Sequence, residues 1–182
     1  MNPSSVMKVA IVALLLSLTT VAAPYAANGE PLLVQLKHGA LRSTRWAVFA
    51  QRDDGSGAAR QPCLTAALGT RGKELSNRLQ ICGSLAAPLV VSNSSGVGPS
   101  ERTVLGMAFA RNTVSVRLWL RGRASRLIPM ELLSRRQARA TGLARFRYAA
   151  LGIAGPFCLR RFAAYDRAGR LLFASPATSC RM

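Results

Sequence analysis

Thr113–Arg121 reads TVSVRLWLR, and its period decides the fold. Val114, Val116, Leu118 and Leu120 fall on one side, while Ser115, Arg117, Trp119 and Arg121 fall on the other. Successive side chains of an extended chain point to opposite faces, so this alternation of β-branched and aromatic residues marks a half-buried strand. Gly122 signals a turn after it. From Ala124 to Leu133 the apolar residues Leu127, Ile128, Met130, Leu132 and Leu133 surround Pro129. Proline has no N–H for a ladder, which confines that stretch to an edge or bulged strand.

Working outward, further strands are expected at Leu32 to Lys37, Thr44 to Arg52, Pro62 to Leu68 and Thr103 to Ala110. The turn-rich stretches DDGSG (Asp53–Gly57) and SNSSGVGPS (Ser92–Ser100) separate them. FCLRRFAAYDRAGRLLFASP, from Phe157, reads as a hairpin turning at Asp166–Gly169, with Asp early in the turn and Gly late. The one helical stretch expected is Pro129 to Arg139. Eight or more short strands in about 150 residues predict an all-β chain. The expected architecture is a single immunoglobulin-like β-sandwich over residues 28–182, with a small β-barrel as the alternative.

The N-terminus is expected to be a signal peptide, residues 1–27. Lys8 precedes the apolar run VAIVALLLSL (Val9–Leu18), and small residues follow as far as Ala27. Extended to Ala23, that segment still falls short of the ~20 residues a spanning helix needs. Export implies a secreted or envelope location. Cys63, Cys82, Cys158 and Cys180 all lie beyond the leader, and an even count in an oxidising compartment favours disulfides. Three connectivities are possible. The local pairs Cys63–Cys82 and Cys158–Cys180 are preferred, each closing a loop worth roughly 3 kcal/mol in the chain-entropy picture.

The order of segments resembles a known kind of protein. Trp46 and Ala47 open a strand that ends near Arg52; CLTAAL follows from Cys63, ICG at Ile81–Gly83, VLGMAF from Val104, and RRFAAYDRAGRLL from Arg160. This order resembles that of uncharacterised secreted or envelope-associated bacterial proteins with a small β-rich module ending in an A-x-D-x-x-G-x-[LV] hairpin. Ala164, Asp166, Gly169 and Leu171 carry the hairpin match. The resemblance implies an exported β-sandwich and brings no active-site residues.

Residues for acid–base chemistry are scarce. His38 is the sole histidine and precedes Gly39, in what reads as a solvated turn. The carboxylates are Glu30, Asp53, Asp54, Glu74, Glu101, Glu131 and Asp166. No nucleophile elbow, phosphate loop or H-E-x-x-H is present. The expectation is a non-enzymatic protein without metal or cofactor, with a structural or binding role at the cell envelope. A hydrolase built on His38 and a carboxylate is the competing reading.

The charge is the remaining lead. Lys and Arg number 25 against 7 acidic residues, a formal net charge of +18, and arginine dominates. Arg117, Trp119 and Arg121 share one strand face, and Arg135, Arg136, Arg139, Arg145 and Arg147 crowd the sequence beyond it. An arginine–aromatic face grips phosphate or carboxylate, so anionic envelope polymers or a membrane surface are the expected partners, and no specific nucleic acid. Coding bias toward arginine accounts for the same composition without any ligand. On the covalent side, denatured but unreduced exported protein is expected to take up no thiol-alkylating reagent in mass spectrometry; alkylated cysteines would remove the disulfide framework.

Overall fold

A computed structural model of the chain describes residues 33–53, 61–70 and 72–176. The expected leader, Asp54–Gly57 of the DDGSG turn, and Cys180 with its expected bond to Cys158 lie outside the described residues. Twelve strands follow one another: β1 (Val34–Leu41), β2 (Thr44–Arg52), β3 (Pro62–Thr70), β4 (Asn77–Cys82), β5 (Leu89–Ser95), β6 (Arg102–Phe109), β7 (Ser115–Leu120), β8 (Arg126–Pro129), β9 (Glu131–Leu132), β10 (Arg147–Ala154), β11 (Leu159–Tyr165) and β12 (Leu171–Ala174). A short helix, α1 (Arg135–Thr141), precedes β10. The strands form three antiparallel sheets in the orders β1-β2-β3-β4, β5-β6-β10-β9 and β12-β11-β7-β8. None closes on itself, so the barrel alternative is not formed and the sheets pack face to face as a sandwich.

β6 (RTVLGMAF) explains the layering, because all eight of its residues are buried. Val104 and Ala108 join Val48, Leu64 and Leu68 of the first sheet in one core. Leu105, Met107 and Phe109 join Val116, Leu118 and Phe162 of the third sheet in another. The second sheet is therefore the middle layer, and its near-continuous apolar run fits a strand covered on both faces. β10 alternates likewise, with Tyr148 and Ala150 in the first core and Ala149 in the second.

Close approach between the first two sheets needs glycine at two places. A Cβ on Gly152 would lie 2.4 Å from Trp46 Nε1, and one on Gly39 would lie 2.7 Å from Trp46 Cζ2. The Trp46 indole thus lies flat against bare backbone in both sheets. Asn93 supplies a polar tie, its buried side-chain amide donating to Ala66 O and Asn77 O. That tie explains a correction: Leu89–Ser95 is a strand although its end, read as a polar gap from Ser92, is rich in Ser and Asn.

Two other expectations shift. The helix begins after Ser134, whose hydroxyl accepts from Gln137 N–H while Gln137 Oε1 accepts from Ser134 N–H; Gly142 ends it in the left-handed region at φ 65°. Pro129 closes β8 instead of starting a helix. At Met130, buried in the second core, the chain leaves the third sheet and enters the second as β9. The hairpin at Asp166–Gly169 forms as read. Cys63 and Cys82 stand opposite each other on β3 and β4 with Cα atoms 4.0 Å apart and are joined in a disulfide; Cys158 is not a free thiol either.

If the two cores unfold as one cooperative unit through the middle sheet, Leu105→Ala should cost about 2–5 kcal/mol while urea unfolding stays a single transition by fluorescence and circular dichroism. Gly152→Ala should cost about 1–3 kcal/mol through overpacking. Most of that cost should vanish in a Trp46→Leu background, and a cycle with no coupling would show that the slot is not tight.

Candidate functional site

The outer face of the third sheet collects the residues that the strand pattern marked. β7 lies between β8 and β11, so its outward side chains have neighbours on both sides. Trp119 pairs with Arg161, and the Arg161 guanidinium carbon sits 4.2 Å above the indole centroid. Arg117, two residues back, lies between Ala163 of β11 and Leu127 of β8. Ala163 is buried and Leu127 is 56% exposed, so the arginine rises over a low, partly apolar floor. Neither Arg117 nor Arg161 has a hydrogen-bonding or ionic partner among the described residues. A guanidinium stacked on indole keeps its edge N–H groups free for a ligand and loses less side-chain freedom on binding.

Arg161 was missed from the sequence, and it completes the face. Its signal was the period of two in Arg161, Ala163 and Tyr165, obscured because Arg160 sits in a register irregularity between Leu159 and Arg161. The sole carboxylate of this sheet's hairpins is spoken for. Asp166 accepts from the N–H groups of Arg170 and Ala168 and pairs with the Arg170 side chain at 2.7 Å. Those contacts, led by the Arg170 backbone N–H, hold its carboxyl below the usual carboxylate range.

The other arginines of the expected anion-binding set do not join Arg117 and Trp119. Arg121 is exposed just past β7, with its backbone N–H on Cys158 O. Arg135, Arg136 and Arg139 are exposed on α1, which packs on β1 and β2 of the first sheet. Arg145 donates to Leu133 O, and Arg147 donates to Arg111 O and Met130 O. These last two brace the crossing into β9.

Among the described residues no hydrolase arrangement is assembled around His38. That residue lies in β1 rather than a turn, is exposed, and has Gln35 Nε2 at 2.7 Å from its Nδ1. Asp53 approaches Cys63 and Cys82, but both sulfurs are held in the disulfide and offer no thiolate to a metal. Elsewhere, Lys37 of the first sheet pairs with Glu131, whose second oxygen accepts from Tyr148 O–H at 3.2 Å. Burial, then the Glu131 charge and its hydrogen bond, push the Tyr148 phenol up to about 12. A neutral phenol gripped by a carboxylate is a clasp between layers, not a base at neutral pH.

Comparison with family models, curated proteins and solved structures gives no match, so the chemistry rests on these residues alone.

The clasp has a measurable consequence. The Tyr148 value is raised on folding, so its contribution to stability is complete below pH 10 and is lost as pH rises from 10 toward about 12. Denaturant unfolding across that window should show a fall that flattens in Tyr148→Phe, and absorbance titration should show one phenol ionising late. An identical fall in both proteins would remove the clasp.

Proposed function

We propose that this is an exported, non-enzymatic β-sandwich protein that binds an anionic polymer of the cell envelope on the outer face of its third sheet. The observation that carries the reading is the stacked Arg161–Trp119 pair beside Arg117, with both guanidinium groups uncommitted. Two uncommitted cations on neighbouring strands of one sheet, Arg161 held by its stacking on Trp119, present donors to carboxylate or phosphate groups. The apolar surface beside them, Trp119 and the exposed Leu127, suits the carbon skeleton of a sugar ring or polymer backbone. The net charge of +18 draws any polyanion to the molecule. The face decides where it stays.

Export is supported by the basic, apolar N-terminal segment of the sequence and by a disulfide compatible with an oxidising compartment. Among the described residues no helix is long and apolar enough to cross a membrane. Soluble heparin and inorganic polyphosphate serve as probes of polymer binding. Arg117→Ser/Arg161→Ser should weaken binding of either probe at least tenfold in calorimetry and reduce the salt slope by roughly two. Arg135→Ser/Arg136→Ser removes the same charge from α1 and should weaken it less than threefold. Equal losses in the two variants would mean that total charge, not this face, holds the polymer.

A further inference from the structure

We infer that the open edge of β10 is a docking groove for a short, extended acidic peptide, which adds to the second sheet as a strand. β10 has eight residues, yet β9 pairs with only Arg147 and Tyr148. Contacts at both ends show which backbone groups face that edge. Leu133 N–H donates to Phe146 O, and Arg123 Nη2 donates to Ala154 O at 2.7 Å. Backbone groups alternate sides along a strand, so the even-numbered residues point away from β6. The N–H and C=O groups of Ala150 and Gly152 therefore face the edge, without a protein partner among the described residues. Backbone groups in proteins are almost always paired, and Ala150 lines the open groove together with Ala149 and Leu151. An added strand satisfies them.

The space is built for it. Because the chain passes from β8 of the third sheet to β9 of the second only at Met130, a wedge opens between β8 and β10, about 260 Å³ in volume. Leu127 and Pro129 line one wall, Lys37 of β1 rises from the other, and Glu131 stands at the β9 end. The length is bounded too, by the last β9 pair at Tyr148 and by the Arg123 guanidinium already seated on Ala154 O. Roughly five residues of an extended chain fit that interval at about 3.3 Å per residue.

The charges choose the occupant. Arg126 lines the groove with no partner among the described residues, whereas Glu131 is committed to Lys37 and Tyr148. The rim is thus cationic toward an incoming strand. A second copy of this chain, itself +18, is repelled, and an acidic peptide is attracted. Strand addition then uses main-chain hydrogen bonds for affinity and the flanking charges for selection. This edge shares only Leu127 of its named lining with the Arg117–Trp119–Arg161 face, and the inference does not depend on polymer binding there.

Backbone amide NMR on the folded protein tests it, with Ac-Glu-Val-Glu-Val-Glu-NH2 as the probe. In the free protein the Ala150 and Gly152 amides should exchange with solvent faster than those of Ala149 and Leu151, which face β6. The probe should shift the Ala150 and Gly152 resonances and slow their exchange at least tenfold. The Lys-Val counterpart, and the acidic peptide N-methylated at alternate residues, should bind at least tenfold more weakly. Arg126→Glu alters an exposed side chain and should cut probe affinity at least fivefold while heparin binding changes less than twofold. Slow exchange of Ala150 and Gly152 in the free protein would show the edge already paired. Probe-induced shifts confined to the Arg117–Arg161 face would equally overturn the inference.

Discussion

The architecture depends on burying both faces of β6. A strand of eight residues with Val104, Gly106 and Ala108 on one side and Leu105, Met107 and Phe109 on the other has no face to offer water. It can be stable only with a sheet above and a sheet below. That requirement places the second sheet in the middle, and it sets the size of each side chain. The small set faces the first sheet, where Gly106 lets Val48 approach; a Cβ there would lie 3.0 Å from the valine. The large set faces the third sheet, where Phe109 meets Phe162 edge-on at 5.9 Å. The small residues of β6 thus meet the first core and the large ones the second, and the difference is written in one strand.

The same requirement explains what could and could not be read from the chain. β2, β7 and the β11–β12 hairpin were legible because each carries its own local pattern: alternation in the strands, Asp and Gly in the turn. β5 was not, because its polar residues make tertiary contacts that no local pattern encodes. Asn93 looks like loop chemistry until the carbonyls of Ala66 and Asn77 are found opposite its amide. The helix was misplaced for a related reason. Composition drew it back to Pro129, whereas the Ser134–Gln137 capping pair, a short-range signal, sets its start. Of the site, the β7 half was visible. Its β11 half was not, since pairing between strands some 40 residues apart is a property of the sheet.

Lys37, Glu131 and Tyr148 show how the first and middle layers are kept in register. The apolar cores are non-directional and would tolerate sliding by small amounts. A lysine on β1, a carboxylate on β9 and a phenol on β10 meet in only one arrangement, and the phenol also reaches Leu36 O at 3.4 Å. Because Tyr148 is buried, the clasp is worth more as a positional constraint than an exposed ion pair would be.

The abundance of arginine has a structural account that sharpens the functional one. The twelve strands among the described residues leave many connections, and their carbonyls need donors where no ladder continues. Arginine side chains meet that need repeatedly: Arg78 on Leu75 O, Arg102 on Pro99 O and Glu101 O, Arg123 on Ala154 O, Arg145 on Leu133 O, and Arg147 on Met130 O. A planar fork with several donors can cap two carbonyls at once, which a lysine does less well. Coding bias alone would scatter arginines without regard to these acceptors. Once the caps are set aside, Arg117 and Arg161 gain significance. They stand on paired strands, Arg161 just past the irregularity after Leu159 and stacked on Trp119, and they cap nothing. Side chains held in place with their donors unspent are what a ligand-binding surface requires.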